Sequence, residues 1–440
     1  MSSVFYRDPG STYPVAERGE GMYVYDASGH KYLDMSGGAA VSSLGHSHPE
    51  VVRAIQQQAN RLSFAHTAFF TNKPQEELAE RLAARFTEKG AKVWFTSGGS
   101  ESNESALKMA WLYWRAKGKP EKTIIISREF SYHGGTFGAT SISGNLFRRS
   151  PYEKVLLNWP RIAPCYAYRH KSDDETDRDY GRRVANDLDK AIRVTGAENV
   201  AAFIAEPVVG ATLGVVPPVP GYFEEIRRIC DEHQILFIAD EVMCGSGRCG
   251  TFYTIDQENV VPDMVSTAKG LGGGYQPIGA VIARKEIYKT IRDHKKDLAH
   301  GHTYIGHAIA CAAGVAIQKC LDDRLLDSVS DKGERLRAIL YEHFGEHPNV
   351  GDIRGRGLFF GLEFVADRKT KKAFEVENHI PSKLKKAAME HHLICYPGGG
   401  TVDGQMGAHM LLAPPFIAQD DHFVQLVDKL KSIFAKVFGA

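Results

Sequence analysis

The middle of the chain alternates short apolar runs with longer segments in which apolar residues recur every three or four positions. The short runs, at residues 92–96, 123–127, 200–205, 235–239, 264–267 and 279–283, predict β-strands. Several are apolar at every position, as in Ala201-Ala202-Phe203-Ile204-Ala205. A strand that is apolar on both faces is buried on both faces, as in a parallel sheet covered by helices. Between the strands, residues 101–117 and 222–233 predict helices. In the first of these Leu107, Ala110, Trp111 and Trp114 give one buried face. Strand–helix alternation argues for an α/β fold with a mostly parallel sheet.

The pattern changes toward the end. From about Leu326 it reads as a helix over 328–344, a strand over 358–365 after Arg354-Gly355-Arg356-Gly357, and helices over 382–391 and 421–438. Strands with helices packed to one side suggest a separate, smaller α+β domain. The first 60 residues add strand pieces at 21–26 and 32–34 and a helix over 50–61, which can complete that domain. The expected division is a large domain over 61–325 and a small domain built from 1–60 and 326–440. A length of 440 residues fits this, since about 150 residues per domain is usual.

Composition narrows the function. There are 54 basic and 53 acidic residues, so no net basic field draws in nucleic acid or an anionic membrane. No run approaches the ~20 apolar residues of a membrane helix, and the first residues do not form a signal peptide. Seven cysteines, odd in number and widely spaced, do not form a secreted disulfide scaffold. These features predict a cytoplasmic protein. Cys244 and Cys249 lie close together but lack further ligands at zinc spacing, so no metal site is expected.

Five segments carry candidate chemistry. Residues 94–104 read strand, small-residue turn, helix. Gly99 lets the backbone approach a ligand, and the helix start with the Ser100 hydroxyl can bind an anion. Ser100 can equally be an ordinary N-cap. Gly245-Ser246-Gly247-Arg248-Cys249-Gly250 matches GxGxxG. Five residues separate it from the preceding strand, however, and β-like Thr251-Phe252-Tyr253-Thr254 follows it. The dinucleotide fingerprint needs a helix there to hold the pyrophosphate, so this match is a decoy. Asp240 and Glu241 leave a buried strand, at the carboxyl end where α/β sheets bind ligands. They can be catalytic, or a cap or ion pair. Lys269 follows another buried strand and precedes Gly270-Leu271-Gly272-Gly273-Gly274. Such a lysine usually snorkels or pairs. With its amine depressed from ~10.4 it can instead act as a nucleophile. Tyr132-His133-Gly134-Gly135 puts an aromatic and an imidazole in a glycine-bordered loop.

Taken in order, these pieces resemble the pyridoxal-phosphate-dependent aminotransferases of fold type I, specifically class III, the ω-aminotransferase group. The resemblance spans nearly the whole chain, from Tyr25-Asp26 through Gly45-His46-Ser47-His48-Pro49 to Leu412-Ala413-Pro414-Pro415-Phe416. It implies pyridoxal 5'-phosphate as cofactor and Lys269 as the lysine that joins it and shuttles the proton. It implies that Asp240 faces the pyridine nitrogen, that Val242 packs under the ring and that Tyr132 stacks on the other face with His133 close by. Gly99 and Ser100 are implied at the phosphate, and Glu206 near the cofactor, adjusting the pocket between substrates. Thr303 resembles the threonine that reaches the phosphate in the partner subunit. This implies a homodimer with shared active sites.

The departures concern substrate. Ornithine-type and 4-aminobutyrate-type relatives carry an arginine where Leu411 stands here, and no arginine lies between Val402 and Met410 to replace it. Met243 takes the place of a glutamine common in relatives. Carboxylate recognition must come from elsewhere, with Arg148, Arg149 and Arg18 as candidates. The expected activity is transfer of an amino group from an amine or ω-amino acid to a 2-oxo acid such as pyruvate. A pyridoxal-phosphate decarboxylase or aminomutase of the same class is the alternative. A nicotinamide dehydrogenase and a cofactor-free binding protein are more distant ones.

Overall fold

A computed structural model describes residues 2–294 and 298–439. Its centre is a seven-stranded sheet. From one edge to the other the strands are Lys92–Thr96, Gly279–Ala283, Met264–Thr267, Leu236–Asp240, Val200–Ala205, Ile124–Arg128 and Arg161–Ile162. Gly279–Ala283 runs antiparallel to both its neighbours, and the pairings from Met264–Thr267 outward are parallel. The six strands expected from the pattern are all present, two of them displaced by one residue. The two-residue strand Arg161–Ile162 is too short to show periodicity.

Both faces of the sheet are covered, which is why its strands are mostly apolar. Ile204, Ile238 and Val281 pack with Leu107, Ala110 and Trp114 of the helix Gly99–Ala116. Their sequence neighbours Phe203, Phe237 and Ile282 point the other way, toward Tyr180, Val184, Tyr222 and Ile226 of the helices Asp177–Thr195 and Tyr222–Glu232. Successive side chains of a strand face opposite sides, so each side of the sheet acquires its own core.

The ends of the chain build two further sheets. Ala16–Glu20, Tyr23–Asp26 and Lys31–Asp34 form a meander, and Leu393–Ile394 joins it in parallel beside Lys31–Asp34. Val350–Arg356 and Phe359–Phe364 form a hairpin that continues into Ala408–Leu412 and Tyr396–Gly399. The Arg354-Gly355-Arg356 stretch, expected to precede a strand, is itself strand. Its partner Phe359–Phe364 is buried at every position. Helices Asp323–Phe344, Ile380–Glu390 and Asp420–Phe438 accompany these sheets. No helix among the described residues is long and apolar enough to cross a membrane.

The GxGxxG stretch serves packing. Gly247 and Gly250 have φ of 88° and 98°, a region that favours glycine. A Cβ at Gly247 would lie 2.6 Å from Leu326, and one at Gly250 would lie 2.3 Å from Ser330. The glycines therefore let this loop touch the helix Asp323–Phe344, and neither lines the main cavity.

Candidate active site

The five longer parallel strands end along one edge of the sheet, and each carboxyl end delivers chemistry. Lys92–Thr96 leads into Ser97-Gly98-Gly99-Ser100, Ile124–Arg128 into Tyr132-His133, and Val200–Ala205 into Glu206. Leu236–Asp240 ends on Asp240 with Val242 beyond, and Met264–Thr267 leads into Lys269. Of these, Ser97 to Ser100, Tyr132, His133, Glu206, Asp240, Val242 and Lys269 line one cavity of about 1410 Å³. One of the terminal sheets closes its far side through Tyr396 and Gly398, with Gly404 in the turn that follows them. The carboxyl edge of a parallel sheet is the usual place for a ligand, because helix N-termini and irregular backbone converge there.

Asp240 is held on both oxygens. Its Oδ1 accepts the Val242 N–H at 3.0 Å, and its Oδ2 accepts the Asn103 amide at 2.7 Å and lies 2.7 Å from Nδ1 of His133. A carboxylate only accepts, so Nδ1 carries the hydrogen. The opposite nitrogen, Nε2 of His133, is buried without a protein partner. Asn103 also donates to the His133 carbonyl at 2.7 Å and accepts from Ser266 Oγ at 2.5 Å. A charge this deep would be costly without such partners. Neighbouring Glu241 does different work. It turns into the core, where it accepts the N–H groups of Thr254 and Ile255 at 2.8 and 2.7 Å. Burial pushes its carboxyl up to about 8, against those two hydrogen bonds.

Lys269 sits at φ 43°, in the left-handed region that a side chain rarely occupies. Burial pushes its amine down to about 8, while Asp240 acts in the opposite direction. A lysine poised near neutrality is one whose nitrogen can act as nucleophile and base. Glu206 ties two strand ends together. Its Oε1 accepts the Tyr132 N–H at 3.1 Å and its Oε2 accepts from buried Arg128 at 3.2 Å. Arg128 also donates to the Glu206 carbonyl at 2.5 Å.

At the other end of the cavity the helix Gly99–Ala116 begins. Its N-cap is Gly98, which makes no side-chain cap, so Ser100 lies inside the first turn rather than at the cap. The Ser100 hydroxyl instead accepts the Gly135 N–H at 3.0 Å. A Cβ on Gly99 would come within 2.6 Å of Val242, and one on Gly134 within 2.7 Å of Ser100. Only glycine permits this close approach, and it leaves backbone N–H groups of a long helix facing the cavity. The set is complementary to a flat phosphorylated heteroaromatic: an anion cradle at one end, a buried carboxylate at the other, Val242 and Tyr132 as apolar surfaces and a lysine between.

Residues 6–434 match the family model described as aminotransferase class-III. This chain is a class III aminotransferase. It is 40% identical to an uncharacterized aminotransferase of Schizosaccharomyces pombe over 99% of this chain and 96% of that protein. It is also similar to a thermostable (S)-enantioselective omega-transaminase from Thermomicrobium roseum, at a TM-score of 0.91 and 34% identity, covering 98% of this chain and 94% of that one. A PMP-bound aminotransferase from Vibrio fluvialis superposes with a TM-score of 0.91 at 31% identity, covering 97% and 93%. The aminotransferase uses pyridoxal 5'-phosphate and catalyses transamination, rather than the decarboxylation or isomerisation kept open by the sequence. That cofactor supplies an electron sink for the carbanion formed when the substrate carbon loses its proton.

Among the expected site residues of the aminotransferase, Gly99, Ser100, Tyr132, His133, Glu206, Asp240, Val242 and Lys269 all line the cavity, and Thr303 does not. Thr303 lies exposed in the turn before the helix Ala308–Cys320. No group of three or more potential metal ligands occurs among the described residues. Cys244 and Cys249 are free, buried thiols. Two residues beside the site were not picked out in the sequence. Arg128 ends a buried strand that begins with three isoleucines, a signal like the one that marked Asp240. Asn103 sits four residues before Leu107 on the buried stripe of its helix, a polar residue at a core position.

Proposed function

We propose that the aminotransferase moves an amino group from a primary amine or an ω-amino acid to a small 2-oxo acid such as pyruvate. The convergence of Lys269 and Asp240 on the floor of one cavity carries the residue assignments. Lys269 would hold the cofactor covalently, and once freed its Nζ would be the group that moves the proton off and on the substrate carbon. Asp240, held by Asn103, Val242 and His133, would keep a proton on the pyridine nitrogen. Tyr132 and Val242 flank the ring, and Gly99 and Ser100 bind the phosphate. Glu206 sets the position of Tyr132 through its N–H.

The active form proposed is a homodimer, working in the cytoplasm, in which Thr303 completes the phosphate site of the partner subunit. Supporting this, Thr303 neighbours an exposed aromatic patch. Phe64 lies 5.7 Å from Tyr304, and His66 lies 5.8 Å from Phe69, which is 80% exposed. A second copy covering that patch would bury it. The seven free thiols suit a reducing compartment. We also retain a large domain at 61–325 and a small domain from 1–60 and 326–440, a division supported by the pairing of Lys31–Asp34 with Leu393–Ile394.

The test is to reduce the yellow holoenzyme with borohydride and locate the trapped cofactor by peptide mass spectrometry. Attachment at Lys269 is expected, and attachment at another lysine would overturn the assignment.

A further inference from the structure

With Leu411 buried in an apolar cluster and no arginine from 402 to 410, a substrate carboxylate must find a cation elsewhere. The structure separates the three candidates. Arg149 is buried and committed, since its Nη1 donates to the carbonyls of Thr140, Ser141 and Ser143 at 2.8, 2.7 and 3.0 Å. Arg18 pairs with Glu20 at 3.0 Å and lies over Tyr25, on a terminal strand away from the cavity. Arg148 lines the cavity.

The surroundings of Arg148 leave its charge free. Its guanidinium carbon lies 4.5 Å from the centre of the Tyr132 ring. Among the described residues no carboxylate lies within ion-pair distance of it. The two carboxylates that line the cavity are engaged elsewhere, Asp240 by Asn103 and His133, and Glu206 by Arg128. The backbone is fixed, because the Asn145 side chain accepts the Arg148 N–H at 3.1 Å and caps the short helix Leu146–Arg149. That helix touches the roof: a Cβ on Gly404 would lie 2.6 Å from Leu146. The only other cation lining the cavity besides Lys269, among the described residues, is Lys385 on the helix Ile380–Glu390, whose amine lies 5.8 Å from the Tyr13 ring.

We propose that Arg148 recognises the substrate carboxylate, that of the 2-oxo acid in one half-reaction and that of an ω-amino acid donor in the other. This rests on the transaminase reading of the site. The guanidinium lies over the Tyr132 ring and, among the described residues, none of its N–H groups makes a hydrogen bond, so a carboxylate can dock on it with two parallel hydrogen bonds. Tyr132 is the residue assigned against the cofactor ring, so the stack fixes the carboxylate relative to the reacting carbon. Exposure matters equally. A buried arginine would be stranded whenever a substrate without a carboxylate bound. Arg148 keeps water in that case, so one pocket can take a neutral amine side chain and an acid in turn.

The experiment compares wild-type holoenzyme with Arg148→Gln and Arg148→Lys. The two half-reactions are followed separately by stopped-flow absorbance, with pyruvate and with the carboxylate-free amine of a panel that reacts fastest. In Arg148→Gln the loss of kcat/KM with pyruvate should exceed that with the amine by at least about tenfold and appear mainly in KM, and Arg148→Lys should recover part of it. Calorimetric titration with propionate, an unreactive carboxylate, should show about tenfold weaker binding to Arg148→Gln. Equal losses on amine and pyruvate, or unchanged propionate affinity, would overturn the proposal. If wild type reacts with no amine or amino acid, the transaminase reading fails, and the propionate titration still decides the role of Arg148.

Discussion

Asn103 donates its side-chain amide to the same Asp240 oxygen that faces Nδ1 of His133, each at 2.7 Å. The carboxylate is thus fixed from two helix and loop segments while its other oxygen is held by its own chain at Val242. This arrangement separates charge from support. Asp240→Asn removes the charge and should slow proton abstraction at least ~100-fold, since losing ~3 kcal/mol of transition-state stabilisation costs about that much. Asn103→Ala leaves the charge but strips a donor, which costs about 1.5–3 kcal/mol for an ionised acceptor. It should weaken cofactor binding about tenfold and reduce kcat less than Asp240→Asn does. Single-turnover rates and spectrophotometric cofactor titration measure the two effects. Asp240→Asn within threefold of wild type would show that another group protonates the ring.

Lys269 gives a prediction in pH. In the folded, cofactor-free enzyme burial holds its amine at about 8, against an ordinary value of 10.5 in the unfolded chain. Between those values the unfolded chain binds a proton that the folded chain does not, so stability rises with pH. Below about 8 both forms are protonated and the folded state bears the full penalty. Lys269→Met has no such group. The stability of cofactor-free wild type relative to Lys269→Met should therefore climb from pH 8 to 10.5 in urea melts. Lys122, also depressed to about 8 by burial, is present in both proteins and cancels. A flat difference across the window would mean that the amine is not desolvated.

The strand ends were legible in the sequence because two signals coincide there. A fully apolar run gives the strand, and a polar residue at its carboxyl end is conspicuous. Asp240 and Lys269 were found this way, and Glu206 through the family resemblance. Asn103 was missed because helical stripes tolerate an occasional polar residue, and only the fold shows that it meets Asp240 across 137 residues of chain. Arg148, Arg149 and Arg18 could not be ranked, since the sequence does not reveal that Arg149 spends its donors on three carbonyls. The hairpin strand Val350–Arg356 was also missed. It carries glycine and arginine at positions where a strand is usually apolar, and its Arg354 is neutralised by Glu363 across the hairpin at 2.6 Å. Such compensation is tertiary and leaves no local pattern.

The position of Thr303, exposed and outside its own cavity, predicts complementation. Lys269→Ala and Thr303→Ala homodimers should each be impaired, the second most clearly at limiting cofactor. After dissociation and random reassociation, half the dimers are mixed. In a mixed dimer the Lys269→Ala subunit lends its intact Thr303 to the site that retains Lys269. One site in two is then whole, so activity at limiting cofactor should approach roughly a quarter of wild type. Activity no higher than the mean of the two parents would place Thr303 outside the partner's site.

The last prediction concerns the donor. Leu411 is fully buried among Ala40, Val208, Val215 and Phe359, with Met243 and Tyr396 packed between that cluster and the cavity they line. No cation therefore reaches the cavity from the position where relatives place their arginine. Arg148 stands instead over Tyr132, on the helix beside the cavity roof. An α-carboxylate attached to the reacting carbon has Arg148 to bind it, but an α-amino acid larger than alanine must then place its side chain in the rest of the cavity, away from any second cation of the kind that relatives carry at the Leu411 position. A carboxylate several bonds away can extend toward Arg148, and a neutral amine needs no partner at all. Pyruvate remains an acceptor because Arg148 takes its carboxylate and its methyl group needs little room in a cavity of about 1410 Å³. Simple primary amines, β-alanine and 4-aminobutyrate should accordingly exceed α-amino acids in kcat/KM at fixed pyruvate. The measurement is an initial-rate panel with saturating cofactor. If an α-amino acid other than alanine led by about tenfold or more, a difference of ~1.4 kcal/mol in transition-state binding, a carboxylate clamp beyond Arg148 would have to exist. The inference from Leu411 would then be wrong.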